Sequence, residues 1–103
     1  MTTNIVYPTL GNLNTPSIAT DATALAENTD RIGFSIQNVG TNPLFLLLGT
    51  GASSTVYHVV LKAGTANSDG LGGIFIMTEG IVYTGIVTIA GTTPKYTVME
   101  IKP

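Results

Sequence analysis

His58 is the single imidazole of the chain, and Ser53, Ser54 and Asp69 are the side chains that could complete a nucleophilic group with it. Such a group needs an oriented base beside a hydroxyl, and in many hydrolases a glycine-flanked turn that presents the serine. No Gly-x-Ser-x-Gly elbow surrounds either serine, and His58 lies between Tyr57 and Val59 in a run that alternates like a strand. A histidine on a sheet face or a subunit contact is the plainer reading. The carboxylates Asp21, Glu27, Asp30, Asp69, Glu79 and Glu100 could supply the acid pair of a glycosidase. Most fall at turns, however, and the chain has no tryptophan to form a sugar platform.

Two glycine-rich stretches, residues 49–54 and 69–73, have the composition of a phosphate cradle. A cradle needs a helix N-terminus behind it and usually a lysine, so that amide donors converge on the anion. Strands are expected after both loops instead. Asn67, Ser68 and Asp69 could lend oxygens to calcium, but the alternating acids of a calcium loop are missing. One histidine and no cysteine leave no transition-metal set. The expectation is a non-enzyme with no catalytic, cofactor-binding or metal-binding residues and no cofactor.

The chain has 103 residues, enough for one domain with a proper core. It is 44% hydrophobic but only 10% charged, against about 25% charged in an average domain. Its solvent face must therefore be built from Thr, Ser, Asn and Gly. Few charges and many β-branched residues exclude intrinsic disorder. Arg31, Lys62, Lys95 and Lys102 are the only basic residues, scattered in a chain of net charge −2. That excludes a phosphate-binding patch and a basic membrane-surface helix, so neither nucleic acid nor membrane is an expected partner. The N-terminus has no basic and apolar signal segment, and no apolar run approaches the ~20 residues of a membrane helix. A soluble protein made in a cytoplasm is expected. A small chain with so few charges and so much apolar content keeps itself in solution poorly as a monomer, and burial in an oligomer or a larger particle would relieve it.

The elements that position these residues read as strands. Residues 1–16 form an extended arm, broken by Pro8 and Pro16, in which Ile5, Val6 and Tyr7 are an apolar island able to anchor on a neighbouring subunit. A sandwich domain over residues 17–103 follows. Residues 17–23 alternate weakly as a first strand, and residues 24–27 suit one helical turn. Residues 31–39 alternate Ile32, Phe34 and Ile36 with Gly33, Ser35 and Gln37, the period of a half-buried strand. Gly40 to Pro43 make a turn, and residues 44–48 are expected to return as the antiparallel partner. Residues 55–62 form another strand, residues 73–78 and 81–90 a hairpin turning at Glu79-Gly80, and residues 95–102 the last strand. About seven to eight short strands joined by Gly and Pro turns imply an all-β, single-domain antiparallel β-sandwich (jelly-roll-like) or a small barrel.

Leu44, Phe45, Leu46, Leu47 and Leu48 are apolar without interruption. Both faces of that strand need cover, and part of it is expected from another subunit. Either Phe45 and Leu47, or Leu44, Leu46 and Leu48, would be the contact set.

Ile36-Gln37-Asn38, Asn42-Pro43-Leu44-Phe45, Gly49, Ala52-Ser53 and Val60-Leu61-Lys62-Ala63-Gly64, in this order, resemble small β-structured virion proteins of tailed bacteriophages. Tyr83 to Val87, Gly91-Thr92 and Val98-Met99-Glu100 extend the resemblance to about two-thirds of the chain. The apolar residues 71–77 depart from it, where a more polar, acidic loop is expected. The family includes head decoration, or cement, proteins. The resemblance implies a structural protein on the capsid surface of the virion, binding the major capsid protein and associating with itself, often as a homotrimer. A neck, tail or fibre component is the alternative within that class. A carbohydrate-binding β-sandwich module is the alternative outside it, disfavoured by the scarcity of exposed aromatics.

Overall fold

The computed structural model describes residues 14, 17–77 and 82–102. Seven strands run through them: β1 (Thr23–Leu25), β2 (Gly33–Asn38), β3 (Leu44–Leu48), β4 (Val59–Leu61), β5 (Ile74–Met77), β6 (Val87–Ala90) and β7 (Tyr96–Ile101). They pair antiparallel in two sheets, ordered β1-β6-β3-β4 and β5-β2-β7. The fold is the expected all-β sandwich, without a helix among the described residues.

Alternation decides which side chains meet between the sheets. Phe34 and Ile36 of β2 face inward, and Tyr96 of β7 joins them from the same sheet. Leu44 and Leu46 of β3, Leu61 of β4, and Val87 and Ile89 of β6 oppose them from the other. Leu46 is fully buried in the middle of this core, where truncation to alanine costs about 2–5 kcal/mol.

The pairing of the strands differs from the expected hairpins. β2 and β3 are consecutive in sequence but lie in opposite sheets; β2 pairs with β5 and β7, β3 with β4 and β6. Asn38, at the end of β2, accounts for the crossing. Its buried amide donates to the carbonyls of Asn42, Leu61 and Lys62 at 2.9, 3.1 and 3.2 Å, and its Oδ1 accepts from Gly40 N–H at 3.0 Å. These bonds tie the end of one sheet to β4 of the other, so the chain arches between layers rather than folding back. β5 and β6 likewise belong to different sheets. The turn expected at Glu79-Gly80 lies outside the described residues.

Other boundaries moved for local reasons. The helical turn expected at residues 24–27 is absent: residues 23–25 form β1 on the edge of β6, because Ala24 and Leu25 gain more by packing on the core than by a short helix. In place of a first strand over residues 17–23, Ala19 alone bridges β7, exchanging bonds with Tyr96 at 2.8 and 3.1 Å. The strand expected over residues 55–62 keeps only Val59–Leu61, since Ser53 draws the chain before it into a turn by accepting from Thr55 and Val56 N–H.

Candidate interface

β3 runs between β4 and β6; this chain buries its inner face and partly covers its outer one. Leu44 and Leu46 are buried in the core between the sheets, and Leu48 packs against that core. Leu44 and Leu46 therefore serve the interior and not a contact surface, a correction to the expectation that this set meets another subunit. Phe45 and Leu47 point to the opposite, outer face and are half-buried there.

The cover on that outer face is the connection from β3 to β4. Thr88, outward on β6, is buried beneath it: its hydroxyl donates to the Gly49 carbonyl at 2.7 Å and accepts from Ala52 N–H at 3.1 Å. At the other end His58 N–H donates to the Leu46 carbonyl at 2.7 Å, and His58 Nδ1 accepts from Leu48 N–H at 3.0 Å. This lays the Tyr57 ring against Phe45, with centroids 5.0 Å apart and planes tilted by 48°. Val60 stands beside Phe45 in the β4 register. The cover is itself apolar outside: Val56, Tyr57 and Val60 are 51%, 42% and 44% exposed.

A second apolar surface lies on the other sheet. In β5, Phe75 and Met77 face the core, while Ile74 and Ile76 point outward and are 53% and 59% exposed. Leu71, just before the strand, is 58% exposed. The neighbouring outward residues of β2 are Ser35 and Gln37, so no charge lies on the β5–β2 part of this face. The far edge of the same sheet is differently built: Ala19 pairs along β7, and Asn14 exchanges bonds with Glu100 and donates to the Val98 carbonyl.

The residues that could do chemistry are employed elsewhere. His58 orders a loop, Ser53 closes a turn, and Asp69 gathers its own loop. Asp69 Oδ2 accepts from Thr65 N–H and hydroxyl at 2.8 Å and from Ala66 N–H at 2.9 Å; Oδ1 accepts from Leu71 N–H at 2.9 Å. Those donors, led by the Leu71 amide, hold the carboxyl down at about 2. Ser68 and Gly70 turn the loop at φ of 57° and 80°. A depression lined by Ala26, Glu27, Tyr83, Gly85 and Ile86 carries one carboxylate, without a second acid or base among its described residues. No cluster of three His, Asp or Glu side chains occurs among the described residues.

Arg31, in the sequence merely one of four scattered basic residues, is the polar centre of the fold. Its Nε donates to Glu100 Oε2 at 2.9 Å, and Nη1 and Nη2 donate to the carbonyls of Tyr83, Gly85 and Ala26 at 3.0, 2.9 and 2.6 Å. The guanidinium also sits 5.5 Å from the Phe34 ring centre. The expected anchor residues Ile5, Val6 and Tyr7 lie outside the described residues. No protein-family profile, curated protein or solved structure matches the chain.

Proposed function

We propose that this chain is a structural component of a phage particle, a non-enzymatic decoration protein that binds the capsid shell and reinforces it. One observation carries the reading. Polar side chains in the interior are consumed in holding the fold, with none left unpartnered among the described residues, whereas apolar side chains stand exposed in two groups on its outside. A catalyst keeps polar groups free and convergent in a cleft; a lattice-binding module keeps complementary surface.

Val56, Tyr57 and Val60, backed by Phe45 and Leu47, are the surface offered to the capsid protein. The ring of Tyr57 supplies contact area at low entropic cost and ends in a hydroxyl that can meet a polar rim. The arm, with Ile5, Val6 and Tyr7, supplies a further contact to a neighbouring copy or the shell, in a homo-oligomer whose expected order is three.

Incubating the purified chain with undecorated shells tests the reading. Co-sedimentation that saturates with copies spread over the shell supports it, and a map of the particle then locates the contact. Tyr57→Ala should reduce occupancy at least about tenfold, the scale of one aromatic anchor. Deleting residues 2–10 should also weaken occupancy without unfolding the domain. Density confined to a single ring at the neck or tail would move the chain to that part of the virion, and failure to bind any particle would sink the proposal.

A further inference from the structure

We propose that the open edge of β5 pairs with β5 of a second copy, antiparallel across a two-fold axis that passes through Phe75. The inference rests on the reading of the chain as an assembly component.

The backbone of β5 is set up for this. Asn38 N–H donates to the Gly73 carbonyl at 2.9 Å, which sets Asn38 opposite Gly73 at a bonded position of the ladder, although Gly73 N–H turns away to the Lys62 carbonyl at 2.8 Å. In an antiparallel ladder such positions alternate with non-bonded ones. In the observed register Ile36 then bonds Phe75 and Phe34 bonds Met77, while Ile74 and Ile76 stand opposite Gln37 and Ser35 with their N–H and C=O groups turned to the other side. That side carries no strand among the described residues.

The two-fold register follows from the side chains. Residues opposite one another in an antiparallel pair share a sheet face, so an axis through Phe75 sets Ile74 against the partner's Ile76, and Ile76 against the partner's Ile74. Both are residues whose backbone groups face the open edge, and each such pair exchanges two hydrogen bonds. The four isoleucines meet on the outer face of a continuous six-stranded sheet, and the contact is self-complementary as a two-fold interface requires.

Several features favour a second copy as the occupant. An exposed edge is ordinarily protected by a lysine, a proline or a bulge. Ile74 to Met77 contain none, and their register with β2 is regular. The opposite edge of the same sheet is shielded by Asn14 and Ala19. No charged residue lies on β5 or opposite it on β2, and a net charge of −2 gives two copies little mutual repulsion. A four-residue strand with Leu71 beside it is a fraction of the roughly 20–30 residues a side of a standard interface. The pair is thus a weak, concentration-dependent contact that gains strength when a lattice holds copies side by side. A threefold association would use a surface other than this edge.

The chain has no cysteine, so single introduced thiols report the register. A bonded antiparallel pair has Cα atoms about 5.5 Å apart, within disulfide range, whereas the diagonal positions lie beyond it. A mixture of Ile74→Cys and Ile76→Cys chains should form the mixed cross-linked dimer on mild oxidation, while either variant alone should not. Without cysteine, the average mass of the unmodified chain in sedimentation should exceed that of an Ile76→Lys chain, by an excess that grows as concentration rises to about 100 μM and above. Circular dichroism of the lysine variant should match the unmodified chain, since Ile76 is exposed. Equal masses, absence of the mixed cross-link, or efficient cross-linking of Ile76→Cys with itself would overturn the proposal; occupancy by residues 1–13 of the same chain would appear as equal masses. These measurements read the edge in free solution, and shell occupancy reads the capsid assignment, so either can fail without the other.

Discussion

Arg31 and Glu100 form an ion pair at 2.9 Å in which the arginine side chain is wholly buried and the glutamate is 16% exposed. The pair joins the chain entering β2 to the end of β7, and the three carbonyls on the same guanidinium bring in the segments before β2 and before β6. A lysine could not replace it, because no ammonium presents donors in a planar fork to four acceptors.

Arg31→Met should therefore destabilise the domain by about 3–5 kcal/mol, the range for removing one partner of a buried pair. Total stabilities of such domains are about 5–15 kcal/mol. Glu100→Gln should cost less, since the three carbonyls and the Phe34 ring still hold the guanidinium. Urea denaturation of the two variants measures the difference; equal losses would show that the carbonyls contribute nothing.

The Tyr96 hydroxyl donates to the Asp21 carbonyl at 2.6 Å. Burial, aided by the nearby Asp21 carboxylate, pushes the phenol up from 10.0 to about 12. A group whose value is raised in the folded state contributes stability that is complete below the unfolded value and lost as pH rises through the folded one. The domain should accordingly lose stability between pH 10 and about 12. Tyr96→Phe should remove this particular loss and cost about 1–2 kcal/mol at neutral pH. Thermal melts of both chains from pH 8 upward distinguish the two cases.

Asp69 has the opposite sign. Its carboxyl lies at about 2 against an ordinary 3.8, so its contribution is present above 3.8 and disappears as pH falls toward 2. The group is fully exposed, and the effect should be confined to its loop. Amide hydrogen exchange at Ala66 and Leu71 should be slow at pH 5 and lose its protection near pH 2, after correction for intrinsic rates. Asp69→Ala should abolish the protection at both pH values while global melting changes little.

What the sequence disclosed and what it hid have separate physical causes. The alternation around Phe34 and Ile36 named the buried face of β2 correctly, because a period of two is local and survives whichever strand lies alongside. Which strand lies alongside is not local. Gly40 to Pro43 suit a hairpin as well as an arch, and the choice falls to Asn38, whose partners at Leu61 and Lys62 are remote in sequence. The apolar run of β3 does not show which of its faces turns inward. Its outer face is partly covered by residues 49–58, a segment whose small residues and turn give no sign of folding back. Arg31 was opaque for a related reason: three of its acceptors are main-chain carbonyls, which any residue type supplies. For the interface, the exposed residues of β4 and β5 carry the same hydrophobic signature as core strands, and only the sheet order separates them.

The arch between β2 and β3 recurs along the chain: every connection except that from β3 to β4 passes from one sheet to the other. Each layer is therefore woven from early, middle and late parts of the sequence. β2 has only β5 beside it until β7 has been synthesised, and the acid that completes the contacts of Arg31 arrives at Glu100. Folding must wait for nearly the whole chain and then proceed through non-local pairings, the slow regime of all-β topologies, on a scale of milliseconds to seconds. During that interval the emerging strands lack their full set of partners, and the cell must keep a charge-poor, apolar nascent chain from finding others.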